Sequence, residues 1–132
     1  MSDYHFSRTR SAPKNEKFFR ISSANFPALK GIAIQDLDMA PGERRTAHFH
    51  PNAAQLDYCI SGTGEVGIIG PDGHRHIIAL TPGDAAFVPQ GNVHWIVNTS
   101  DAQSRFILIA ANDRPETIEI QTMYAAVPDN QK

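Results

Sequence analysis

The sequence predicts an all-β domain, a sandwich or closed barrel, and three observations lead there. Short runs rich in Val, Ile, Phe, Tyr and Thr recur at close spacing. Clusters of Gly, Pro and Asp separate them, and no long helical period intervenes. The runs share no sequence repeat, which argues against a propeller or solenoid. A chain of 132 residues fits one domain of ordinary size, able to bury roughly two-thirds of its unfolded surface.

Taken in order, residues 1–16 are polar, interrupted by Pro13, and read as a mobile N-terminal arm. The domain proper is expected over 17–125, with a polar tail over 126–132. Residues 18–22 form the first β-type run. The second, 29–39, alternates apolar and polar residues and ends at the turn Ala40-Pro41-Gly42-Glu43. Runs 46–50 and 55–60 follow, the latter closed by Ser61-Gly62-Thr63-Gly64. Runs 65–69 and 74–80 flank Gly70-Pro71-Asp72-Gly73, a hairpin signal. Run 85–88 lies between Thr81-Pro82-Gly83-Asp84 and Pro89-Gln90-Gly91-Asn92, and runs 94–98, 105–110 and 117–122 complete the set.

Bulk properties narrow the function classes. Apolar residues make up 41% and charged residues 20%, with a formal net charge of −2. That balance argues against a nucleic-acid or anionic-membrane surface, and no apolar run approaches the ~20 residues that span a bilayer. The first ten residues carry no apolar stretch of signal-peptide type, and the lone Cys59 forms no internal bridge. A cytoplasmic protein is the simplest expectation.

Strand alternation sorts the side chains. His48 and His50 share one face and Phe49 takes the other. Gln55, Asp57 and Cys59 oppose Leu56, Tyr58 and Ile60, while His94, Ile96 and Asn98 oppose Trp95 and Val97. One face of these strands lines a cavity and the other must be covered by a second layer or subunit. The apolar outward sets suggest a homodimer. His-x-His on a strand places two imidazoles about 7 Å apart along the backbone, aimed the same way, where they can grip one cation. Two surface histidines at that spacing are also common. The second such pair, His74-Arg75-His76, follows a turn and has no later ligand in step with it, so it reads as an exposed hairpin strand.

Context separates the pairs. Gly42, five residues, His48-Phe49-His50, four residues, Gln55, six residues and Gly62 make one motif. Gly83, Pro89, Gly91, His94 and Asn98 make a second. Together they resemble the two motifs of the cupin superfamily, which implies a double-stranded β-helix, or jelly-roll barrel. The resemblance further implies one divalent transition metal held by His48, His50, residue 55 and His94. The glycines and Pro89 read as turn-shaping residues, and Asn98 as a maker of local hydrogen bonds.

The expected glutamate is Gln55. A carboxamide leaves a divalent site at about +2 rather than about +1, which favours an anionic ligand and lowers the pKa of bound water. It also weakens the case for manganese and improves that for nickel, zinc, copper or ferrous iron. Asp57 lies on the same face. It reads as a substitute ligand, an outer acceptor or a proton-transfer group, unless a bulge turns it to solvent.

Within the superfamily the text is most similar to the oxalate decarboxylase and germin-like branch, through Pro41-Gly42, Arg45 three positions before His48, and Tyr58 ahead of Ser61-Gly62. That resemblance implies a clamp from Arg45 on a small carboxylate. Parity objects, because an odd step from His48 turns Arg45 outward and favours Arg44 unless the strand bulges. Both arginines also read as solvated strand-end residues. The resemblance implies a proton donor on a lid after the second motif, where Glu116 stands. The expectation is a metal-dependent enzyme on an oxalate-like acid. A dioxygenase, cyclase or isomerase with a neutral ligand set, and a non-catalytic metal or small-ligand binding module, are the alternatives.

Overall fold

In the computed structural model, which describes residues 4–8 and 17–132, the apolar/polar alternation becomes ten antiparallel strands among the described residues. They are β1 (Phe18–Ile21), β2 (Ala33–Met39), β3 (Arg44–Phe49), β4 (Gln55–Ser61), β5 (Gly64–Ile69), β6 (Arg75–Leu80), β7 (Ala85–Val88), β8 (Val93–Val97), β9 (Ser104–Ala110) and β10 (Ile118–Glu119). One sheet runs β1-β2-β9-β4-β7 and the other β10-β3-β8-β5-β6. The two face each other as a jelly roll, the fold that the resemblance implies. Leu37, Met39, Cys59, Val66, Leu80, Val88, Ile96, Phe106 and Leu108 fill one end of the interior. The polar face of β3, β4 and β8 occupies the other.

Two glycines, one at a motif turn and one within β5, stand where a side chain would not fit. Gly62 has φ 70°, a left-handed conformation costly for side chains, and a Cβ there would strike Ser104. Gly67 lies flat beneath Trp95, whose ring occupies the space a Cβ would need. Asn98 is fully buried and donates to the carbonyls of Met39, Ala40 and Ala102 while accepting from Ser100. It ties two loops together.

The expected arm over 1–16 falls mostly outside the described residues. In the part described, Phe6 packs against Phe19 and Phe26. The run expected over 117–122 departs from the prediction. Only Ile118–Glu119 pairs, with Phe49 and His48 of β3, and Ile120–Ala126 forms a helix, α1. The next pairing step would reach Ala47, inside an irregularity of β3. The ladder has no further partner there, and a segment containing Met123, Ala125 and Ala126 satisfies its backbone helically instead. A short 3-10 turn, Asp129–Gln131, closes the chain described. No helix among the described residues is long and apolar enough to cross a membrane.

Candidate metal centre

One extra residue in β3 decides what faces the interior. Arg45 pairs with Ile96 and His48 with His94, so three steps on β3 match two on β8. That bulge puts Arg45 on the same face as His48, because Ile96 and His94 are both buried inward residues. Arg44 pairs with Val97 and is exposed. Strict alternation, which favoured Arg44, is therefore corrected: Arg44 lies outside the site and Arg45 inside it.

His48, His50 and His94 converge. Their ring centroids stand 5.1, 4.3 and 5.1 Å apart, and one nitrogen from each lies within 4.8 Å of the others. Each Nδ1 meets a backbone carbonyl: Thr46 at 2.7 Å, Glu116 at 2.8 Å and Asn92 at 3.0 Å. A carbonyl accepts only, so Nδ1 carries the proton and Nε2 presents a lone pair. The Nε2 atoms of His50 and His94 are buried with no hydrogen-bond partner. Burial lowers the proton affinity of all three rings. His94 falls to about 3, through burial first and then its neighbour His48. Three neutral imidazoles with convergent lone pairs fit a transition-metal cation, each ring oriented by its outer hydrogen bond.

Gln55 and Asp57 are buried on the adjoining face of β4, where regular pairing with β7 holds both inward. No bulge turns Asp57 to solvent. Gln55 Nε2 donates to Asp57 Oδ1 at 2.6 Å, which leaves its carbonyl oxygen available as an acceptor or cation ligand. Gln55 lies near enough to His50 to raise its proton affinity, although no hydrogen bond reaches Nε2. The Asp57 carboxylate is not part of the three-histidine group and stands behind Gln55. Burial pushes its pKa up to about 7, against the opposing pull of Gln55 and Arg45.

Glu116 is placed differently from expectation. Its side chain is exposed, and its contribution to the site is the backbone carbonyl that holds His50. The carboxylate nearer the rings is Glu119, paired with His48 across β10 and β3 and approached by the Thr46 hydroxyl at 3.4 Å. The sequence reading missed it because the 117–122 run gave no sign of which strand it would join. It also missed Arg20, on the inward face of β1 opposite Gln35. A lone arginine in a four-residue strand carries no spacing signal.

Comparison with known proteins follows the same lines. The cupin family model matches residues 6–130. Oxalate decarboxylase of Bacillus subtilis is 29% identical over 113 residues, 86% of this chain and 29% of the relative. Germin-like protein 3-7 of rice, Oryza sativa subsp. japonica, is 31% identical over 107 residues, 79% of this chain and 46% of the relative. The chain thus spans less than half the length of these curated relatives. A solved structure of the Bacillus subtilis oxalate decarboxylase, from work on its Mn(II) centres, superposes with a TM-score of 0.79. It is 28% identical, and the match covers 89% of this chain and 32% of that one.

Proposed function

This chain belongs to the cupin family, and on that premise we propose that it binds one divalent transition metal and acts on a small oxalate-like carboxylate. The observation that carries the reading is the group of three neutral imidazoles, two with buried and unpartnered Nε2 atoms, beside the inward guanidinium of Arg45. His48, His50 and His94 would hold the ion, with the Gln55 carbonyl oxygen as a further ligand. When bound, the metal supplies Lewis-acid polarisation of a carboxylate oxygen. Arg45 would orient the anion through its fork of donors. Decarboxylation of a diacid releases carbon dioxide and needs one proton at the remaining carbon. Asp57, buried with its pKa near neutrality, is suited to hold that proton. Glu116 would need its loop to move before its exposed carboxyl could do the same.

Gln55 supports a second reading. A neutral ligand set suits ferrous iron, nickel, zinc or copper better than manganese, and so suits a dioxygenase, cyclase or isomerase. Elemental analysis of purified protein paired with product assays separates the two. Manganese together with formate or hydrogen peroxide from oxalate supports the first. Ferrous iron with oxygen uptake on a catechol, diketone or thiol supports the second. Tight ligand binding without turnover over a broad panel would leave a binding module. The exposed strip of Leu56, Tyr58, Ile60 and Phe87 on one sheet supports pairing of two copies, which a solution mass measurement tests.

A further inference from the structure

Two guanidiniums reach the site from strands that lie in different sheets. Arg20 stands on β1 and pairs with Gln35 of β2, whose side chain is buried. With its amide oxygen turned toward β1, Gln35 accepts from Nε of Arg20 at 2.8 Å and from Nη2 as well. Nη1 of Arg20 approaches the carbonyl of Pro115 at 3.5 Å. The very next carbonyl, that of Glu116, is the one that holds His50. Arg20 is therefore braced against the same loop as a metal-site imidazole.

Arg45 comes from β3, and the aromatic ring of Phe18 lies near both. The guanidinium carbon stands 4.3 Å from its centroid for Arg45 and 6.0 Å for Arg20. Both arginines are half-buried. Neither forms an ion pair among the described residues. Among the described residues Arg20 commits donors only to neutral carbonyls, and a guanidinium has five N–H groups in all. Donors therefore remain on both side chains. The charge of Arg20 also reaches its surroundings: it lowers the proton affinity of His50, and Arg20 itself sits in the field of Arg45. Arg45 sits in the field of Glu119 and Asp57, whereas Arg20 has no carboxylate partner among the described residues, so an anion beside it would offset the cost of its partial burial. The two guanidiniums balance Asp57 and Glu119 in formal charge, so a bound divalent ion would leave an excess of about +2.

We propose that Arg20 determines specificity for a second anionic group, so that the site takes small dianionic acids. One carboxylate lies at the imidazole end and the other between Arg20 and Arg45. The inference rests on the oxalate-like reading above and adds to it the residue that selects a diacid over a monoacid.

The test titrates oxalate and malonate, with formate and acetate as single-charge controls, into metal-loaded and metal-free protein. Wild type, Arg20→Met, Arg20→Lys and Arg45→Met are compared, with metal content checked for each. The expected result is a ~10- to 100-fold loss of diacid affinity in Arg20→Met, a loss under ~3-fold for the monoacids, and partial recovery in Arg20→Lys. Equal losses for both classes, or no loss, would overturn the assignment of Arg20. If Arg20→Met loses its metal, Arg20→Lys decides by the same diacid-to-monoacid ratio. Failure of the underlying reading looks different: metal-loaded wild type then binds none of the four acids, or Arg45→Met and metal removal leave their affinities unchanged.

Discussion

The chain contains His-x-His twice, and the two copies have opposite fates. His48 and His50 are 4% and 3% exposed, with Nδ1 atoms locked to carbonyls. His74 and His76 are exposed, and His74 pairs with Asp72 in its own turn. The contrast sharpens along one row of the second sheet, where Glu119, His48, His94, Ile68 and His76 stand side by side. Directly paired residues share a face, so His76 points the way His94 does. It stands two strands off, roughly 10 Å, with Ile68 between. What makes a site is therefore a third imidazole on the neighbouring strand and the burial that keeps all three neutral. The spacing motif by itself is insufficient.

The largest expected effect comes from breaking the buried group. His94→Ala should lower the affinity for the divalent ion by ~100-fold or more, read by competitive metal titration. Retained full affinity would end the metal assignment. Next comes the pH response of the metal-free protein. The folded state holds His94 at about 3, against 6.5 for an ordinary histidine, so between those values the unfolded chain binds the extra proton. The contribution is intact above pH 6.5 and is lost as pH falls toward 3, on the order of a few kcal/mol in full. His94→Gln should flatten that part of the denaturation profile, whereas His76→Gln should not.

A smaller change is expected from Gln55→Glu. Restoring the carboxylate should raise manganese affinity ~10-fold relative to zinc, and an unchanged preference would place Gln55 outside the ligand set. The smallest is His76→Ala, which should keep metal affinity within ~2-fold. A large loss there would show that the exposed pair takes part after all.

Much of this was legible before any coordinates. The Gly42-to-Gly62 and Gly83-to-Asn98 spacings locate the turns that deliver His48, His50 and His94, and period-two alternation puts Gln55 and Asp57 inward. Alternation failed at Arg45, because a bulge is a local surplus of one residue that composition does not announce. It was also silent on Arg20 and Glu119. Their positions depend on which strands become neighbours, a property of the sheet order rather than of the flanking residues. For residues 117–122 the same letters suit a strand or a helix, and the end of the β3 ladder decided between them.

The irregularity in β3 also sets a rule of chain counting. With His48 opposite His94, removal of Ala47 would make the strand regular and still leave Arg45 opposite Ile96. Insertion of one residue at the same place would have to be absorbed by a second bulge, or the guanidinium would swing to the outer surface. An insertion in this hexapeptide would therefore reprogram ligand choice without changing the identity of a single side chain at the centre, whereas loss of Ala47 would not.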